Sequence, residues 1–95
     1  MIYVRVNEPR FPLGQLVITS NAASRLAEDD VTSAIRRHVQ GDWGEVCEED
    51  RIENDRSLIQ GSRLLSVYVA ADGLRFWIIT EADRSATTVL LPEDY

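Results

Sequence analysis

Leu64-Leu65-Ser66-Val67-Tyr68-Val69-Ala70, then Ala71-Asp72-Gly73, then Leu74-Arg75-Phe76-Trp77-Ile78-Ile79-Thr80 is the stretch that decides the fold. Two runs rich in β-branched and aromatic residues flank an Asp-Gly step, and the glycine tolerates the positive φ that a tight hairpin turn demands. The polar Glu81-Ala82-Asp83-Arg84-Ser85 reverses the chain again, and Thr87-Thr88-Val89-Leu90-Leu91 returns as a further strand that Pro92 ends. The last third of the chain therefore reads as an antiparallel meander over about 63–70, 74–80 and 86–91. Phe76 to Ile79 is apolar at every position, which suits a central strand covered on both faces.

Upstream of the hairpin, Gly44 to Gln60 has acids at its start and Gly61 just past its end, the charge and stop signals of a helix. Ile52 and Ile59 lie seven apart with Leu58 adjacent, a narrow apolar stripe expected to supply what little this helix buries. Glu48, Glu49, Asp50, Glu53 and Asp55 are left to water. Val31, Ile35 and Val39 mark an earlier helix, capped at Asp30 or Thr32 and stopped at Gly41. Its last turn of Arg36, Arg37 and His38 suits the negative end of a helix dipole. Ser20 or Asn21 caps a short helix through Leu26, Gln15 to Thr19 is extended, and Ile2, Val4 and Val6 alternate with Tyr3 and Arg5 as a short strand. The sum is an α+β fold: about three short helices on a small antiparallel sheet, in a single domain over residues 1–95 with no repeat or linker.

The 44% of the 95 residues that are apolar supply one core. Cys47 is the sole cysteine, so no internal disulfide staples the chain; it reads as a small buried or half-buried side chain, with a reactive or metal-bound thiol as the alternative. Charges among the first eight residues oppose a signal peptide, and no apolar run approaches a membrane span, so a cytoplasmic location is expected. Met1 is the sole methionine and no tag is visible, as expected of a complete natural gene product. The net charge of −6 is concentrated: residues 41–56 hold seven acids against two arginines. That sign disfavours direct nucleic-acid binding. All ten basic residues are arginine, which removes lysine Schiff-base chemistry and any phosphate loop that needs a lysine.

His38 stands four residues before Asp42 in a glycine-rich turn with Trp43, so the pair reads either as a proton-transfer couple or as a dipole-complementing histidine beside an anchoring indole. Glu81, Asp83 and Arg84 gather at a strand junction, where they serve either as working groups or as an ion pair that stiffens the loop. His38, Asp42, Glu45 and Cys47 match no zinc or EF-hand spacing, so neither metal nor cofactor is expected. The acidic helix reads either as a solvated face or as a strip whose charge density imitates nucleic acid before a basic groove.

Phe11-Pro12-Leu13-Gly14-Gln15, His38-Val39-Gln40-Gly41-Asp42-Trp43-Gly44, the helix around Asn54, Arg63 to Tyr68, and Trp77-Ile78-Ile79-Thr80-Glu81-Ala82-Asp83-Arg84-Ser85 through Leu91-Pro92-Glu93-Asp94-Tyr95 together resemble a family of short bacterial proteins of uncharacterised function met on plasmids and other mobile elements. The resemblance spans nearly the whole chain from Phe11. It implies a setting and brings no catalytic residues.

Two functions from different classes are consistent with these residues. The first is a non-enzymatic interaction module that holds a protein partner, expected to be a basic nucleic-acid-binding protein, through Asp42, Trp43, Glu48, Glu49, Glu53, Glu81, Asp83 and Arg84. The second is a small toxin-type ribonuclease in which His38, Arg63, Arg84, Thr87 and Tyr95 meet over the sheet. Either works as a monomer or a homodimer. If residues 2–6 leave the sheet edge bare, Thr87 to Leu91 pairing with a second copy is the expected dimer route.

Overall fold

The described residues of the computed structural model are 9–95, so the strand expected over Ile2 to Val6 lies outside them. Strand β1 (Gln15–Ile18) leads into helices α1 (Ser20–Arg25), α2 (Glu28–Val39) and α3 (Glu48–Gln60). Strands β2 (Leu64–Val69), β3 (Arg75–Thr80) and β4 (Ala86–Leu90) follow, and a 3-10 turn occupies Pro92–Asp94. The fold is α+β. The meander is present, with Tyr68 opposite Phe76 and Ile78 opposite both Ser66 and Val89. The sheet as a whole is not the antiparallel one expected, because β1 joins the far side of β4 and runs parallel to it, giving the order β1-β4-β3-β2. Gly14 permits this approach: its φ is +65°, and a Cβ there would collide with the backbone of Arg84 and Ser85. With β3 on one side and β1 on the other, β4 has no free edge, and the dimer route through Thr87 to Leu91 is closed.

The helix ends differ from the expected ones for local reasons. Thr19, not Ser20 or Asn21, caps α1, its Oγ1 accepting from the Ala22 amide at 3.1 Å. Helix α2 starts at Glu28 behind Ala27, without a capping side chain, and Glu28, Asp29 and Asp30 complement the exposed amides of its first turn. Helix α3 begins at Glu48 instead of Gly44, because Gly44 is left-handed at φ +75° and packs so tightly on Val67 and Tyr68 that no side chain would fit. Gly61 ends it in the left-handed conformation, as predicted.

One face of the sheet, with Tyr68, Phe76, Ile78, Val89 and Leu91, packs on Ala22, Leu26, Val31, Ala34 and Ile35 of the first two helices. Phe11, Val39, Trp43 and Leu64 form a second cluster beside it. Burying a side chain such as Ile35 contributes about 1.5–3 kcal/mol. Strand β3 is central, as its apolar run predicts: Phe76 and Ile78 face the helices, while Trp77 and Ile79 alternate to the opposite face. Among the described residues no helix is long and apolar enough to cross a membrane.

Candidate functional site

Helix α3 is built the wrong way round for an ordinary surface helix. Its buried residues are Asn54 and Ser57, whereas Ile52 is 45% and Ile59 is 89% exposed. This reverses the expectation that the two isoleucines face the core, and the reason lies in two hydrogen bonds. Asn54 Nδ2 donates to the Leu65 carbonyl at 2.7 Å, and the Leu65 amide donates to Asn54 Oδ1 at 3.1 Å. The side-chain amide thus replaces a missing strand beside β2 and fixes which face of the helix turns inward. At about 100° per residue, Ile52 and Ile59 sit about 140–160° around the axis from Asn54 and about 10 Å apart along it. They form an outward ridge, with Arg56 and Glu49 beside it.

Five carboxylates on α3 meet two arginines, and the arginines are partly committed within the helix. Arg51 pairs with Glu48 and with Asp55 at 3.0 Å, and Arg56 pairs with Glu53 at 3.0 Å. The hydrogen bond from Arg51 holds the Glu48 carboxyl below its ordinary range. The outward ridge is therefore apolar at its crest and acidic overall. Trp43 Nε1 donates to Asp55 Oδ1 at 2.9 Å and locks the Gly41–Gly44 turn to the helix. Trp43 itself is 3% exposed, so the expectation that its ring meets a partner is corrected. Asp42 is exposed and takes two hydrogen bonds from Arg37, at 2.7 and 3.2 Å, which lower its pKa. Turn and helix enclose a hollow of about 190 Å³ lined by Gly41, Asp42, Trp43, Gly44, Val46, Arg51 and Asp55. It is smaller than the roughly 300–1,000 Å³ of ligand pockets, and its charged groups are already paired, Arg51 with Asp55 and Asp42 with Arg37 outside the lining.

Neither ring nitrogen of His38 bonds Asp42: one bonds Ser66 and the other Thr80. His38 is fully buried, with its ring edge-on to Phe11 and Trp43. A chain of hydroxyls fixes its tautomer. The Leu13 carbonyl can only accept, so Thr87 Oγ1 donates to it at 2.7 Å. Thr87 then accepts from Thr80 at 2.8 Å, and Thr80 accepts from His38 Nε2–H at 2.8 Å. Nδ1 is left as the acceptor for the Ser66 hydroxyl at 2.5 Å. Burial, and then the charge of Arg84, push the imidazole down to about 3, so it is neutral. A neutral ring adds no charge to the end of α2, which corrects the dipole reading as well as the proton-transfer couple.

Arg84 ion-pairs with neither Glu81 nor Asp83. Its guanidinium donates to the carbonyls of Ser62 at 2.6 Å, Ser57 and Glu81 at 3.1 Å, and Ala82 at 3.3 Å, and it lies over the Phe11 ring. It therefore closes the carbonyl end of α3 and pins the 81–85 turn, at the cost of a left-handed φ of 61°. Asp83 accepts from the Ser85 amide at 2.9 Å, and Glu81 is exposed on the same turn. Arg63 donates to Tyr95 Oη at 2.8 Å, and the Tyr95 ring meets Trp77 on the sheet face away from His38. The five residues of the ribonuclease reading are thus divided: His38 and Thr87 lie inside on the helix side, Arg63 and Tyr95 outside on the other, and Arg84 is tied up in carbonyls. Cys47, expected buried or half-buried, is exposed at the start of α3. His38, Asp42, Glu45 and Cys47 do not converge, and among the described residues no three His, Cys, Asp or Glu side chains are placed to hold a metal.

Of the residues singled out for binding, Glu48, Glu49 and Glu53 lie together on α3, Asp42 lies beside its start, and Glu81, Asp83 and Arg84 sit past its end. Ile52 and Ile59, which spacing alone assigns to the core, carry the exposed apolar surface of α3. Asn54, a polar residue midway along an amphipathic pattern, was the signal for the reversal. Compared with family models, curated proteins and solved structures, the chain matches none.

Proposed function

We propose that the chain is a non-enzymatic interaction module that seats the outward ridge of α3 in an apolar groove rimmed by basic side chains on a protein partner. The observation that carries this reading is the inversion of α3, with Asn54 and Ser57 inward and Ile52 and Ile59 in water. A monomer gains nothing from exposing two isoleucines at helical spacing, whereas a groove that covers them gains their full transfer energy. The acidic excess of the helix sets the sign of the rim, and a nucleic-acid-binding protein offers a groove of that sign. The resemblance to short proteins of mobile elements supports a setting in which such a module blocks a host complex.

A photo-crosslinking residue placed at position 59 tests the reading in cells of the native host. A discrete protein adduct is expected, lost in the Ile52→Ser variant and weakened when Glu48, Glu49 and Glu53 become Gln or when salt rises. An adduct indifferent to all of these changes rules out docking through α3.

A further inference from the structure

We propose that α3 is a detachable element: residues 47–63 come off the sheet and melt as one unit while the rest of the fold stands. The helix puts little apolar surface into the core. Its two buried residues are polar, and among the described residues the main cluster, which joins the sheet to α1 and α2, contains no residue of α3. Its half-buried Leu58 packs on the smaller cluster of Phe11, Val39, Trp43 and Leu64. Polar hooks hold the helix instead. Asn54 exchanges two hydrogen bonds with Leu65, Arg84 donates to the carbonyls of Ser57 and Ser62 at 3.1 and 2.6 Å, and Trp43 donates to Asp55 at 2.9 Å. Water takes over each of these bonds when the helix lifts away, so each contributes far less than its strength in isolation. The ion pairs of Arg51 and Arg56 lie within α3 and leave with it.

Both ends of the unit are set by the structure. Upstream, the Glu45 amide donates to the Val67 carbonyl at 2.7 Å and the Val67 amide to the Trp43 carbonyl at 3.0 Å, so the chain stays fixed to β2 as far as residue 45. Downstream, Leu64 is fully buried at the start of β2, whereas Gly61, Ser62 and Arg63 are exposed and a Cβ on Gly61 would meet nothing. A helix of 13 residues released between these anchors has little stability in water, so lifting off and melting are one event. The opening gates the site proposed above, and in that consequence alone it rests on that reading. Ile52 and Ile59 stand at helical spacing only while the hooks hold, and a partner seated on them suppresses the opening.

Native-state amide hydrogen exchange on the full chain, with no partner added, tests the proposal. The amides of α3 should share one opening constant, on the order of 10²-fold or more above that of the β3 amides. Ile35 sits in the main cluster, away from α3, so Ile35→Val should speed exchange in β3 about 2–10-fold and leave α3 unchanged. Asn54→Ala should speed exchange across α3 by a common factor of about 30–150. Exchange of α3 at the rate of β3, equal acceleration of both in Ile35→Val, or protection that declines stepwise from the helix ends overturns the proposal, as does an unaltered α3 rate in Asn54→Ala. Should Asn54→Ala fail to fold, the unaltered chain and Ile35→Val decide. None of these rates involves a partner, so a failure of the docking reading leaves them as they are.

Discussion

His38 accepts from Ser66 and donates to Thr80 while fully buried, and this sets how the fold responds to acid. Its folded pKa, near 3, lies below the ordinary 6.5, so between these values the unfolded chain binds more protons. Stability therefore falls as pH drops below 6.5, with a slope approaching about 1.4 kcal/mol per pH unit. Urea midpoints between pH 5 and 6.5, where most carboxylates stay ionised, should show that slope. His38→Leu should abolish it while costing on the order of 2–4 kcal/mol for the unpartnered Ser66 and Thr80 hydroxyls. Arg84→Ala should cost about 2–3 kcal/mol, since charged donors to four carbonyls are lost. It should also raise the His38 pKa, which a carbon-bound proton titration reads directly. Neither role was legible in sequence. His38 and Arg84 bond groups 28 to 42 and up to 27 positions away, and no local spacing encodes such partners.

At the scale of one element, α3 shows what periodicity conveys and what it leaves open. The seven-residue interval of Ile52 and Ile59 marks them as one stripe, and they are one. Which way the stripe faces is decided by the amide of Asn54, which a hydropathy pattern counts only as polar. Asn54→Ala should cost about 2–3 kcal/mol, because two backbone groups on β2 lose their partner. Asn54→Asp should fare no better, since a carboxylate cannot donate to the Leu65 carbonyl. Ile52→Ser and Ile59→Ser should shift stability by less than about 0.5 kcal/mol, the opposite of what two core isoleucines would show. Chemical denaturation of the four variants checks all of this.

Across the whole molecule, the meander was readable because hairpin turns and β-rich runs are local, whereas the parallel docking of β1 on β4 joins residues 71 apart and depends on a bare Gly14. The Leu65 amide donates to Asn54 and the Val67 amide to the Trp43 carbonyl, so both should exchange slowly despite lying on an outer strand. Because α3 lies against β2, the margin of the sheet opposite β1, its ridge is a handle at one end of the molecule: a fluorophore or surface anchor attached at Val17 should immobilise or report on the protein without obstructing a partner held there.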